Sequence, residues 1–140
     1  MIRILFVCHG NICRSPMAEF MMKKMVTDSG ISDRFEIASA AVSSEELGNP
    51  VYPPARRLLQ SAGIDCSGKY ARQMNKHDYE YYDHLICMDN SNMRNMLRIC
   101  GGDPENKMSR LLDFTDSPGE VADPWYSGNF DATWHDLERG

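Results

Sequence analysis

A chain of 140 residues, 42% hydrophobic and 25% charged, has the size of one compact domain with one core and needs neither disulfides nor a structural metal to stay folded. Fifteen basic against twenty acidic residues leave a formal net charge of −5, which argues against a nucleic-acid footprint but leaves room for a small local anion site. The apolar run Ile4-Leu5-Phe6-Val7 is too short for a signal-peptide core or a membrane span, so a cytoplasmic protein with no membrane partner is expected. Five cysteines, Cys8, Cys13, Cys66, Cys87 and Cys100, without a Cys-x-x-Cys pair, suit a reducing compartment.

Ile2 to Val7 reads as a buried parallel strand, interrupted only by Arg3. A polar loop, Cys8 to Arg14, follows, and Ser15-Pro16 reads as an N-cap with proline at the first helical position. Met17, Ala18, Met21, Met22 and Met25 then recur at helical spacing, with Lys23 and Lys24 off that face. Phe35 to Ala41 is a weaker strand, Ser43 to Pro54 a loop, and Ala55 to Ala62 a helix stopped by Gly63. His84 to Met88 is a second buried strand. Asp89-Asn90-Ser91 caps a helix carrying Met93, Met96, Leu97 and Ile99, which Gly101-Gly102 ends. Ser109 to Phe114 is a last strand, Thr115 to Asn129 a turn-rich loop, and Asp131 to Leu137 a final helix. Tyr79, Tyr81 and Tyr82 mark a helix end and a strand entry, and His77, His84 and His135 have no ligand spacing. The alternation predicts an α/β fold, a parallel sheet with helices on both faces and a ligand at the carboxyl ends of the strands.

The informative segment is Cys8-His9-Gly10-Asn11-Ile12-Cys13-Arg14-Ser15. A thiol is a useful nucleophile as thiolate, which backbone N–H groups, a helix N-terminus and a nearby cation all favour. Gly10 and Asn11 tolerate left-handed backbone angles, so the loop can curl its N–H groups inward as an anion nest. Arg14 adds a planar fork for two phosphate oxygens. By itself the pattern also fits a plain Gly-Asn turn with Cys8 as a small buried residue.

Cys8-x-Gly10-Asn11-Ile12-Cys13-Arg14-Ser15-Pro16-x-Ala18-Glu19 resembles the signature of the low-molecular-weight protein tyrosine phosphatases. The likeness extends to Ser39-Ala40, Gly48-Asn49-Pro50, Ala71-Arg72-Gln73, Met88-Asp89-x-Ser91-Asn92 and Asp123-Pro124-Trp125-Tyr126. It implies a four-stranded parallel sheet with helices on both faces and a phosphate-binding loop after the first strand. It also implies hydrolysis of phosphotyrosine in proteins, without metal or other cofactor, through a phosphocysteine on Cys8. Arg14 and the loop residues His9, Gly10, Asn11, Ile12 and Cys13 would bind phosphate, Asp123 would be general acid and base, and Ser15 would assist the departing thiolate. Trp125 and Tyr126 would stack on the phenyl ring, and Asn11 with Ser39 would fix the loop. Asp89 is an N-cap that also supports the loop through Arg14. The resemblance further implies inhibition by phosphate-like oxyanions and trapping of oxidised Cys8 by Cys13 as a disulfide. The oligomeric expectation is a monomer or weak homodimer.

This sequence departs from the family pattern at His9, where many members are apolar, and near Glu45, where an aromatic wall is common. Lys69 lies in the stretch where many carry a histidine before Ala-Arg-Gln, so loop support is expected to differ. The final helix is also shorter than is usual in the family, which implies apolar surface left exposed or covered by a neighbour. Three other activities share parts of this pattern: an arginine phosphatase, an arsenate reductase and a non-catalytic phosphate-binding module. Ile12, where arginine phosphatases typically carry Thr, favours tyrosine. The arsenate reductase lacks its third cysteine here, and a binding module has no need of Asp123.

Overall fold

The computed structural model describes residues 1–115, 117–121 and 130–139, with the side chains of Phe130, Asp131, Ala132 and Trp134 excepted. Asp123, Trp125 and Tyr126 lie outside that set. Four parallel strands, β1 (Ile2–Cys8), β2 (Phe35–Ala41), β3 (His84–Cys87) and β4 (Met108–Arg110), form one sheet in the order β2-β1-β3-β4. β1 is therefore a central strand, bonded on both sides, and its apolar sequence suits that position.

Side chains alternate across the sheet, so β1 feeds two cores. Ile4, Phe6 and Cys8 pack with Met17 and Met21 of α1 (Arg14–Asp28), Leu59 of α2 (Pro53–Ser61) and Leu137 of the last helix (Phe130–Arg139). Leu5 and Val7 face the other way, onto Tyr79 of α3 (Lys76–Tyr81) and Met96 of α4 (Asn90–Cys100). Each fully buried aliphatic side chain contributes about 1.5–3 kcal/mol relative to exposure. The last helix, hereafter α5, buries Leu137 from its predicted apolar face, together with Thr133.

Three local expectations are corrected. α1 begins at Arg14, with Cys13 as its N-cap, so Ser15 is not the cap. Pro16 is tolerated because the first four N–H groups of a helix have no intrahelical partner. The buried face of α1 continues through Val26, and Met25 is 63% exposed. The last strand is three residues long, and Leu111–Phe114 is a 3-10 turn. Asp113 folds the chain back there, accepting from the Arg110 backbone N–H at 3.3 Å and from its guanidinium at 2.8 Å and 3.1 Å.

Helix α3 ends at Tyr81, where the tyrosine cluster marks a helix end, but its start was not predicted. Its signal was a capping box: Asn75 accepts from His77 N at 2.9 Å, and Asp78 accepts from Asn75 N at 2.9 Å. The predicted caps of α4 are present, since Asp89 accepts from Asn92 N at 2.7 Å and Gly101 closes the helix in the left-handed region at φ 75°.

Candidate active site

Cys8 is the last residue of β1, at the carboxyl edge of the sheet, and is 3% exposed. The five residues between it and Arg14 are stitched to three other parts of the chain. Cys8 O accepts from Val42 N at 3.0 Å, His9 O from Ser43 N at 3.1 Å, Ile12 O from Tyr52 N at 2.9 Å and Cys13 O from Met17 N at 3.0 Å. In a trans peptide the N–H points opposite to the C=O. With these four carbonyls committed to outside partners, the N–H groups of His9, Gly10, Cys13 and Arg14 face the other way. Asn11 N donates toward Cys8 Sγ at 3.3 Å. Such an arrangement, at the N-terminus of a fifteen-residue helix, can receive an anion.

Asn11 alone of the two predicted turn residues is left-handed, at φ 60°. Gly10 serves close approach, since a Cβ there would lie 3.1 Å from Cγ of Glu46. The Asn11 side chain, 1% exposed, donates from Nδ2 to Ser15 Oγ at 2.8 Å and to Ser39 Oγ at 2.9 Å, and accepts from Arg72 N at 3.3 Å on Oδ1. Ser15 Oγ is 3.0 Å from Cys8 Sγ. Ser39, predicted as loop support, is thus in direct contact with Asn11.

Arg14 is 2% exposed. Its Nη1 donates to Asp89 Oδ2 at 2.7 Å and to the Val121 carbonyl at 3.0 Å. Asp89 thus has one oxygen on the N-terminus of α4 and the other on the arginine. Val121 N in turn bonds Met88 O at 2.8 Å, which ties Val121 to the residue just after β3.

At the rim, His9 Nε2 lies 3.0 Å from Glu45 Oε2, and Ser43 Oγ donates to His9 O at 2.9 Å. Two of the residues that depart from the family pattern, His9 and Glu45, are thus partners of one another. Both are solvent-accessible, so the pair shapes the surface more than it stabilises the fold. Ile12 and Cys13 pack against Ala71 and Tyr52.

Sequence reasoning had Glu19 in the signature and Lys69 as a departure in loop support, but did not pair them. Glu19, 4% exposed, accepts from Ser39 Oγ at 2.5 Å and pairs with Lys69 Nζ at 3.2 Å. Burial lowers the Lys69 pKa, and the Glu19 carboxylate pulls it back up, while Arg72 and Lys23 add to the lowering. Glu19 stood inside the quoted signature, but nothing in its spacing showed that it reaches β2.

Among the described residues no group of three or more His, Cys, Asp or Glu side chains is placed to hold a metal, and no helix is long and apolar enough to cross a membrane. None of the five cysteines is in a disulfide.

The sequence profile of the family described as "Low molecular weight phosphotyrosine protein phosphatase" matches residues 3–140. The chain is 34% identical over 142 residues to the Bacillus subtilis low molecular weight protein-tyrosine-phosphatase YfkJ, covering all of this chain and 91% of that protein. It is 38% identical to the human low molecular weight phosphotyrosine protein phosphatase, over 91% of this chain and 82% of that one. The crystal structure of YfkJ superposes with a TM-score of 0.94 over 99% of this chain and 91% of that one. The Escherichia coli K30 tyrosine phosphatase Wzb, solved in complex with sulphate, superposes at 0.83 with 26% identity, over 99% of this chain and 92% of that one.

Proposed function

The chain belongs to the low molecular weight phosphotyrosine protein phosphatase family, and from that premise we propose that it hydrolyses phosphotyrosine in proteins, and simple aryl phosphates, through a phosphocysteine on Cys8. The observation that carries this reading is the buried Cys8 thiol beneath the loop amides, with Ser15 Oγ at 3.0 Å and Arg14 held by Asp89 at 2.7 Å.

Cys8 thiolate attacks phosphorus while Arg14 and the N–H groups of residues 9–14 hold the equatorial oxygens, where charge gathers in the transition state. Asp123 gives its proton to the leaving phenolic oxygen, and the S–P bond forms as the P–O bond breaks. Water then attacks the phosphocysteine, Asp123 takes its proton, and phosphate leaves as the Ser15 hydroxyl receives the returning thiolate. Stacking on the phenyl ring falls to Trp125 and Tyr126, and the exposed His9–Glu45 pair supplies a polar rim. Phosphate-like oxyanions compete for the same nest, a reading supported by the sulphate complex of Wzb. When a peroxide oxidises Cys8 to the sulfenic acid, the Cys13 thiol displaces water from it and forms a disulfide. A cytoplasmic setting suits a nucleophile that must stay reduced, and the enzyme acts as a monomer or weak homodimer.

The test is p-nitrophenyl phosphate and phosphotyrosine-peptide hydrolysis by the Cys8→Ser and Asp123→Ala variants, with phosphoarginine and arsenate run alongside. Cys8→Ser is expected to abolish turnover. Asp123→Ala is expected to slow phosphoenzyme formation most with poor leaving groups. Retained hydrolysis in Cys8→Ser, or faster wild-type turnover of phosphoarginine than of phosphotyrosine, overturns the proposal.

A further inference from the structure

Two neighbouring residues far along the chain bracket Asp89. Val121 N donates to the carbonyl of Met88, the residue before it, at 2.8 Å. The Glu120 carboxylate accepts from the backbone N–H of Asn90, the residue after it, through Oε2 at 3.0 Å. Between these two fastenings, Asp89 Oδ2 and the Val121 carbonyl both accept from Arg14 Nη1, at 2.7 Å and 3.0 Å. The bonds thus close a ring that runs from Arg14 through Asp89 and Asn90 to Glu120, Val121 and back to Arg14.

Local chemistry explains why a carboxylate suits this place. Asn90 is the first residue of α4, and the first four N–H groups of a helix have no partner within it. Asp89 Oδ1 serves the one on Asn92 at 2.7 Å, whereas the one on Asn90 is served from outside the helix, by Glu120. Negative charge is favoured at that end of a helix. Arg110, the last residue of β4, steadies the Asn90 side chain, donating from Nη1 to its Oδ1 at 3.0 Å.

The ring uses both Nη1 protons of Arg14. A guanidinium is planar, so two acceptors on one nitrogen set its plane and with it the direction of every other N–H it carries. One acceptor belongs to the cap of α4 and the other to Val121, so their spacing depends on what ties the two segments together. Val121 N–H ties one flank of Asp89, and Glu120 ties the other.

We propose that Glu120 is a positioning residue for Arg14: its clasp on Asn90 holds the Asp89 carboxylate and the Val121 carbonyl at a spacing that fits both Nη1 protons. The assignment deepens the phosphatase reading and rests on Arg14 as the group that binds phosphate. A carboxylate acting only through its charge would repel a phosphate dianion, so its removal would tighten phosphate binding. Loss of the clasp loosens it. The two roles therefore differ in sign.

The experiment measures the inorganic phosphate concentration that half-protects Cys8 from iodoacetamide in the full-length enzyme, by peptide mass spectrometry at about pH 7. Steady-state hydrolysis of p-nitrophenyl phosphate and circular dichroism are recorded on the same preparations. Glu120→Ala removes the clasp, and Glu120→Gln keeps an acceptor oxygen without the charge. Asn90→Pro removes the N–H at a helix position that accepts proline, after an Asp89 already extended at φ −151° and ψ 175°, and Asn90→Ala controls for the side chain.

Glu120→Ala is expected to raise the half-protecting concentration and to lower kcat/KM, each by about fivefold. Glu120→Gln is expected to stay within about twofold of wild type in both. Asn90→Pro is expected to lose about fivefold relative to Asn90→Ala. A merely structural loss would lower the active fraction and leave the half-protecting concentration where it was. An unchanged or lower concentration in folded Glu120→Ala overturns the proposal, as does a Glu120→Gln variant as impaired as Glu120→Ala. If Glu120→Ala does not fold, the two Asn90 variants decide, and equal behaviour of the pair overturns it. A wild-type enzyme that hydrolyses no aryl phosphate overturns the phosphatase reading, while protection by phosphate, which needs no turnover, still decides the role of Glu120.

Discussion

Arg14 and Asp89 stand 75 residues apart in the chain and 2.7 Å apart in the fold, Nη1 to Oδ2. The arginine comes from the first turn of α1 and the carboxylate caps α4, so two helices that flank different faces of the sheet meet at its carboxyl edge. Asp89 oxygens are divided: Oδ1 serves the Asn92 amide and Oδ2 the guanidinium.

This division separates stability from activity. Asp89→Asn retains a competent N-cap but loses the charge that aims Arg14, whereas Asp89→Ala loses both. Both variants are expected to lose about tenfold or more in kcat/KM, from a charged hydrogen bond of about 1.5–3 kcal/mol. Asp89→Ala alone is expected to lose a further ~1 kcal/mol of stability. Steady-state kinetics and urea unfolding of the two variants check this, and equal stability losses would refute it.

Asn11 combines a strained backbone with three side-chain hydrogen bonds. Asn11→Gly relieves the first and removes the second, while Asn11→Ala removes the bonds and keeps the strain. Asn11→Ala is expected to be less stable than Asn11→Gly by about 1 kcal/mol, with both losing kcat to a similar extent. Thermal unfolding beside p-nitrophenyl phosphate turnover distinguishes the two contributions.

The cysteines differ in readiness to react. Burial pushes the Cys87 thiol up to about 12, with Asp89 adding to the rise, and burial raises Cys66 and Cys100 as well. A raised thiol stays protonated and unreactive through neutral pH. At pH 7 iodoacetamide is expected to modify Cys8 ahead of Cys66, Cys87 and Cys100, and phosphate is expected to slow that modification alone. Peptide mapping over time reads the order. Earlier labelling of Cys100, at the end of α4, would contradict it.

Asp103 reports on acid stability. Burial opposes its ionised form, but hydrogen bonds from Tyr79 and from the Lys107 and Met108 amides outweigh that and hold its pKa below the usual carboxylate value. A depressed folded pKa stabilises above the unfolded value near 3.9, and the contribution fades as pH falls through the folded one. Asp103→Asn is therefore expected to lower the melting temperature at pH 7, and the gap to wild type is expected to narrow below about pH 4. A gap that widens in acid would reverse the assignment.

The sequence showed much of this architecture because its signals are local. β1 is an apolar run, β2 matches its predicted bounds from Phe35 to Ala41, and Asp89 and Gly101 bracket α4 as capping chemistry requires. The end of β4 was not legible, because the Arg110–Asp113 staple that turns the chain reads in sequence like ordinary strand-flanking charge. The site was legible at Cys8, Asn11, Arg14 and Ser15, which share one segment, and through the family likeness at Ser39 and Asp89. Glu19–Lys69 and His9–Glu45 were not, since each pair joins residues that only the tertiary fold brings together.

The reactive loop sits near the beginning of the chain, yet its fastenings come from 28, 61, 75 and 107 residues away: Ser39, Arg72, Asp89 and Val121. Contacts of such sequence separation form late, because the intervening chain must be ordered before they are rewarded. During synthesis, Cys8 leaves the ribosome before all four of these residues, and its ring closes only after Val121 has followed. A partly made chain thus carries the thiol without the nest, and reactivity arrives only with completion of the fold.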